Sequence, residues 1–133
     1  AWTDGQVWMA TGSPFPAVTW KGKQHIIGQG NNTFVFPGIG WGVAASGART
    51  VEAEMMTDAS FALASQVTPE RLASGAVFPP IADLMKVTDH VARAVAESAM
   101  RIGVATVSRE QMDKRLSQRD WTPVYANYEL DAG

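Results

Sequence analysis

Gly28-Gln29-Gly30-Asn31-Asn32-Thr33-Phe34-Val35-Phe36-Pro37-Gly38 is the stretch on which the fold turns. Two glycines precede a pair of Asn residues, and an apolar, partly aromatic run comes after them. Gly28 and Gly30 permit positive φ and close approach of another backbone. Asn carries a donor and an acceptor on one short amide, so an adjacent pair suits a planar carboxylate or amide ligand. Asn and Gly equally favour an Asx turn between two ordered segments. Spacing alone leaves both readings open. Phe34, Val35 and Phe36 anchor the next segment in a core.

Upstream of this stretch the sequence reads as strands and turns. Trp2-Thr3-Asp4-Gly5 is a turn signal. Gln6-Val7-Trp8-Met9-Ala10-Thr11 reads as a buried strand, stopped by Gly12-Ser13-Pro14. A Gly-Ser loop at the carboxyl end of a parallel strand suits a cofactor, because ligands gather there; a plain loop has the same composition. Val18-Thr19-Trp20 and Gln24-His25-Ile26-Ile27 flank Lys21-Gly22-Lys23, a hairpin signature. His25 sits in its second strand, where a lone His is more often a strand residue than a base.

Downstream, helices dominate. Pro37 to Ala48 reads as a helix with Pro in its first turn. Gly38, Gly40 and Gly42 each disfavour it by about 1 kcal/mol relative to Ala. Gly38, Gly42 and Ser46 lie at i, i+4 and i+8, so one smooth face is expected to meet another backbone. Gly40-Trp41-Gly42-Val43-Ala44-Ala45 also matches G-x-G-x-x-A, with Glu52 and Asp58 downstream. A dinucleotide loop would come directly after its strand, and Pro37-Gly38-Ile39 intervenes.

Thr50 is positioned to cap a helix of roughly 15 residues by periodicity. Met55, Met56, Ala59, Ala62, Leu63 and Gln66 mark its inward side. Thr68-Pro69-Glu70 opens a short helix that Gly75 ends. Val77-Phe78-Pro79-Pro80 is extended, as residues before Pro are. Asp83 then caps the most regular helix, running to about Ile102. Its inward residues include Leu84, Val87, Val91, Val95 and Ala99, and Lys86, His90, Arg93, Glu97 and Arg101 form the charged face. Arg93–Glu97 and Glu97–Arg101 are expected i, i+4 pairs. Gly103 closes the helix. After an extended Val104–Val107, Ser108 and Gln111 form a capping box for a helix to about Arg119. Trp121, Pro123, Tyr125 and Tyr128 form an apolar tail of the kind that packs on a neighbouring surface.

Composition sets the outer limits. The chain has 133 residues, 46 % hydrophobic and 18 % charged, a globular profile. A net charge of −2 offers no electrostatic case for nucleic acid or an anionic membrane. No apolar run approaches the roughly 20 residues of a membrane span. There is no Cys, hence no disulfide framework and no thiolate metal site, which fits a reducing compartment and a cytoplasmic location.

Ala10-Thr11-Gly12-Ser13-Pro14-Phe15 and the Gly28-to-Gly38 stretch together resemble the malic enzyme family near its C-terminus. The likeness continues through Val67-Thr68-Pro69-Glu70, Phe78-Pro79-Pro80 and Trp121-Thr122-Pro123-Val124-Tyr125, covering essentially the whole chain. It implies oxidative decarboxylation of malate to pyruvate and CO2, with NAD or NADP and Mg2+ or Mn2+. Asn31 and Asn32 take the family's role of substrate contacts, and Gly12 and Ser13 are the candidate cofactor-facing residues. The resemblance assigns the catalytic Tyr and Lys, the metal ligands and the dinucleotide glycines to a region upstream of Ala1. No catalytic or metal-binding residue is therefore assigned within the chain, and the chain alone is expected to be inactive. A malolactic enzyme, giving lactate with bound NAD, is the near alternative. A non-catalytic, self-associating helical module is the other.

The expected fold is α/β with helix dominant. Residues 1–31 would be the closing strands and hairpin of a Rossmann-like NAD(P) domain. Residues 32–133 would be a helical segment of the adjoining domain. The expected partners are the remainder of a malic enzyme chain and further copies of itself, in a homo-oligomer.

Overall fold

The computed structural model describes residues 3, 4 and 6–118. Among these, two small sheets occupy the N-terminal third, and five α-helices come after them. The helix-dominant α/β class is as expected. The apolar tail from Trp121 onward, together with Trp2 and Gly5, lies outside the described residues; Thr3 and Asp4 form a turn, with Asp4 at φ 48°.

β1 (Ala10–Thr11) pairs in parallel with β4 (Gly28–Gln29), with Ala10 opposite Gly28 and Thr11 opposite Gln29. The expected six-residue buried strand is thus reduced to two residues. Val7, Trp8 and Met9 are 50 %, 70 % and 49 % exposed. The physical reason is that a parallel strand is buried only when layers cover both its faces. Among the described residues, β1 has one neighbouring strand. The hairpin forms, with its second strand shifted: β2 (Val18–Trp20) runs antiparallel to β3 (Lys23–His25), because Lys23 pairs with Trp20 and Ile26–Ile27 lie beyond the ladder. Lys21 at φ 49° and Gly22 at φ 74° make its two-residue turn, and two positive φ values match the right-handed twist of the strands.

A 3-10 turn at Asn32–Phe34 leads into α1 (Phe36–Ser46), which has Pro37 in its first turn and ends on left-handed Gly47. Then come α2 (Ala53–Ala64), α3 (Pro69–Ala73), α4 (Leu84–Arg101) and α5 (Arg109–Ser117). Thr68 and Ser108 cap α3 and α5 as expected, Ser108 in a full capping box with Gln111.

One cap is elsewhere than expected, and another keeps its position without its side-chain bond. Thr50 does not cap α2, because the chain stays extended through Glu52 (φ −101°, ψ 160°) and Glu52 takes the N-cap position without a side-chain bond. Helix α2 is accordingly 12 residues long, shorter than periodicity suggests. Asp83 takes the N-cap position of α4 as expected but makes no side-chain cap bond. The chain enters α4 through a 3-10 turn at Ile81–Asp83, in which the N–H of Leu84 reaches the carbonyl of Ile81.

The core is the α1–α2–α4 interface. Phe34, Met55, Ala59, Ala62, Val87, Val91, Val95 and Ala99 are its buried centre. Gly38 and Gly42 make the smooth face of α1: a Cβ on Gly38 would lie 2.6 Å from Cβ of Val91, and one on Gly42 would lie 2.5 Å from the Ala92 carbonyl oxygen. No Cβ could fit at either distance, so α1 and α4 approach to backbone contact. Ser46 is fully buried on the same face, and its hydroxyl donates to the Gly42 carbonyl at 2.8 Å. Gly40 faces open space. The G-x-G-x-x-A match is therefore a helix-packing pattern. Helix α5 joins this unit through buried Met112 and through Arg115, whose guanidinium donates to the Ala44 carbonyl at 3.3 Å.

Candidate functional site

The parallel pair delivers two loops to one edge. At the carboxyl end of β1 the chain passes into Gly12–Ser13; at the carboxyl end of β4 it passes into Gly30-Asn31-Asn32. Gly28 N–H donates to the Met9 carbonyl at 3.3 Å and Gly30 N–H to the Thr11 carbonyl at 2.9 Å, which holds the two loop bases side by side. In parallel sheets this edge is where ligands bind. The candidate cofactor residues and the candidate substrate residues, 18 positions apart in the chain, are thus neighbours in space.

Asn31 is half-buried and extended, at φ −118° and ψ 132°. Its Oδ1 accepts the Thr33 N–H at 3.0 Å, and its carbonyl accepts the Phe34 N–H at 3.1 Å. Asn31 therefore makes the Asx turn, and its NH2 has no partner among the described residues. That amide is held in one orientation with its donor end available. Asn32 is exposed, and its side chain has no hydrogen-bond partner among the described residues. Neither amide titrates, so neither can serve as acid or base.

The support behind the Asn pair comes from residues whose role the sequence did not disclose. Phe78 stacks on Phe34 with ring centroids 6.2 Å apart. A Cβ on Gly30 would meet the Phe78 ring at 3.3 Å, and one on Gly28 the Val77 backbone nitrogen at 3.3 Å. The glycines let β4 settle on the Val77–Phe78 backbone. Arg71 Nε donates to the Phe78 carbonyl at 2.5 Å and pins that segment from α3. Of the three expected anchors, Phe34 is buried and Val35 half-buried, whereas Phe36 is 62 % exposed on the outer side of α1; Phe78 was legible only as extended, and Arg71 not at all, because nothing in periodicity links it to a carbonyl seven residues on.

Across from the Asn pair, Gly12 and Ser13 are exposed. A Cβ on Gly12 would meet nothing within 4 Å. Thr11 Oγ1 donates to the Ser13 carbonyl at 2.8 Å, and Gln29 Nε2 to the Gly12 carbonyl at 3.2 Å. The loop is thus open, with both of its carbonyls engaged by side chains. His25 lies away from this edge, in a groove beside Gln6, Val7 and Lys23. Among the described residues no three His, Asp or Glu side chains converge to hold a metal ion.

Two carboxyls have shifted affinities, each for a local reason. The Ser98 hydroxyl, then Arg101, holds the Asp58 carboxyl below its ordinary range. Its own backbone N–H and then the Thr68 hydroxyl lower Glu70, at the start of α3. The expected Glu97–Arg101 pair gives way to this arrangement: Arg101 reaches across to Asp58 on α2, while Glu97 lies 3.9 Å from Arg93 and from Arg109.

Residues 1–100 match the family model described as malic enzyme, NAD binding domain. The chain belongs to the malic enzyme family. The match runs through strands, hairpin and helices alike, and so makes the G-x-G-x-x-A of α1 part of a recognised malic enzyme segment. An NAD-dependent malic enzyme of Aeromonas salmonicida is 44 % identical over 128 residues, covering 96 % of this chain and 23 % of that protein. An NADP-dependent malic enzyme of Vitis vinifera is 41 % identical over 129 residues, covering 96 % and 22 %. A chloroplastic NADP-dependent malic enzyme of Zea mays is 41 % identical over 129 residues, covering 96 % and 20 %. The chain spans about a fifth to a quarter of the length of these malic enzymes.

Proposed function

We propose that this chain supplies the substrate-orienting edge of a malic enzyme that converts (S)-malate to pyruvate and CO2 with NAD or NADP. One observation carries the reading: the Gly12–Ser13 loop and the Asn31–Asn32 turn leave adjacent parallel strands at the same end. The cofactor supplies the hydride acceptor. The chain's own residues bind and orient. Asn31, its Oδ1 engaged by Thr33, offers its NH2 to a malate carboxylate oxygen. Asn32, exposed beside it, hydrogen-bonds a second oxygen of the acid. Gly12 and Ser13 form the surface facing the nicotinamide. Malate held between them has C2 directed toward the cofactor, which lowers the barrier by orientation.

Proton transfer and the Mg2+ or Mn2+ ion belong, in this proposal, to residues outside the chain, so the 133 residues alone turn over no malate. In this proposal the exposed Val7, Trp8 and Met9 are covered by the remainder of a malic enzyme chain, and the whole protein is a cytoplasmic homo-oligomer.

The experiment is steady-state kinetics of the full-length protein with Asn31→Ala and Asn32→Ala, products identified. Each variant is expected to raise KM for malate at least about tenfold, the loss of one hydrogen bond to a charged group. Unchanged kinetics in both sinks the assignment. Lactate in place of pyruvate would make the protein a malolactic enzyme.

A further inference from the structure

We propose that Gln29 is a positioning residue for hydride transfer, its carboxamide fixing where the Gly12–Ser13 loop stands relative to Asn31 and Asn32; this rests on the function proposed above. The parallel ladder is only two residues long and ends at Thr11 and Gly30. Beyond it, among the described residues, the two loops are joined by one side-chain bond, from Gln29 Nε2 to the Gly12 carbonyl, spanning 17 residues of sequence.

The loop has few other restraints. Its next carbonyl, that of Ser13, is bound by Thr11 Oγ1. Both loop carbonyls are therefore held by side chains from the strand ends, and Gln29 is the one that comes from the substrate-side strand. A Cβ on Gly12 would meet nothing within 4 Å, so the bond from Gln29 reaches a residue with open space on its side-chain face. The other partner is rigid: Gly28 and Gly30 seat β4 against Val77 and Phe78. A fixed strand thus carries the amide that locates a lightly held loop. Hydride transfer needs the reacting atoms about 3–3.5 Å apart, and an error near 1 Å costs on the order of a hundredfold in rate. Gln29 touches neither ligand in this arrangement. It sets the distance between the surfaces that do.

The test uses full-length protein with Gln29→Leu, which removes the donor, and Gln29→Glu, which keeps the shape but presents a carboxylate to the Gly12 carbonyl. Both are expected to lower kcat by roughly 10- to 100-fold, from the same misplacement cost, while KM for malate changes less than about threefold. The deuterium isotope effect on kcat with 2-deuterated malate should rise, because hydride transfer becomes slower relative to product release. Amide exchange at Gly12 and Ser13 should accelerate, a readout independent of turnover. Unaltered kcat and isotope effect in both variants overturn the proposal, as does a change confined to KM or unaltered exchange. No turnover of malate by the unaltered protein overturns the proposed function and this inference together. Normal turnover in the unaltered protein with indifferent Gln29 variants overturns the inference alone.

Discussion

A Cβ on Gly42 would stand 2.5 Å from the carbonyl oxygen of Ala92, so α1 and α4 meet backbone to backbone at this pair. Gly40, two residues earlier on the same helix, has nothing within 4 Å of the same position. The two glycines share a cost in helix propensity and differ in what offsets it. Gly42→Ala must push the helices apart around Val95 and is expected to destabilise by about 2 kcal/mol, within the usual range for overpacking. Gly40→Ala adds a methyl to solvent and should stabilise by about 1 kcal/mol. Urea unfolding of the two variants checks both signs. Equal effects would mean that α1 does not lie on α4 as described.

The Gly38, Gly42 and Ser46 spacing at i, i+4 and i+8 announced a close-packed face, and the face exists. Periodicity also located α4, because buried Val87, Val91 and Val95 recur with the helical repeat. Local chemistry located the Thr68 and Ser108 caps and the Lys21–Gly22 turn. Tertiary choices were less legible. Arg101 had a sequence neighbour in Glu97, yet its guanidinium reaches Asp58, 43 residues away, where Ser98 adds a second donor. Val7 to Met9 have strand composition but lack the covering layers that would make them one. Gln29 carried no periodic or capping signal, since its bond to Gly12 depends on strand pairing across the chain.

Ser108 closes a capping box whose two bonds measure 3.2 Å to the Gln111 N–H and 3.0 Å from the Ser108 N–H to Gln111 Oε1. Helix α5 depends on it, because the helix has nine residues and buries chiefly Met112. Ser108→Ala is expected to cost about 1 kcal/mol, and Ser108→Asp to retain most of the cap. Amide exchange confined to α5 should report the loss. Equal stability of Ser108→Ala and the unaltered protein would show that Met112 alone holds the helix.

Asp58 makes a pH-dependent contribution. The Ser98 hydroxyl and then Arg101 depress its folded-state affinity for a proton. A depressed carboxyl stabilises the fold above its unfolded value, about 4 for Asp, and that stabilisation is lost as pH falls through the folded value. Asp58→Asn should therefore be less stable than the unaltered protein at pH 7. The gap should close once the pH falls well below 4, where both side chains are neutral. Unfolding midpoints at pH 7, 4 and 3 test the sign. Because the pair is solvent-accessible, high salt should shrink the gap as well. A gap that is the same at every pH would remove Asp58 from the account.

Asn31 and Asn32 differ in what else they do, and that difference separates binding from folding. Asn31 Oδ1 holds the Thr33 N–H at 3.0 Å, whereas the Asn32 side chain holds nothing among the described residues. Asn31→Ala should lower stability by roughly 0.5–1 kcal/mol through the lost turn and also weaken malate, whereas Asn32→Ala should weaken malate with stability intact. Asn31→Asp is the sharper probe. Asp satisfies the same N–H, so the turn survives, but it replaces the free NH2 by an acceptor carrying charge next to an anionic acid. It should match the unaltered protein in unfolding midpoint at pH 7 and raise KM for malate more than Asn31→Ala does. If Asn31→Asp instead binds malate as the unaltered protein does, the turn is the whole role of Asn31, and the carboxylate contact falls to Asn32 alone.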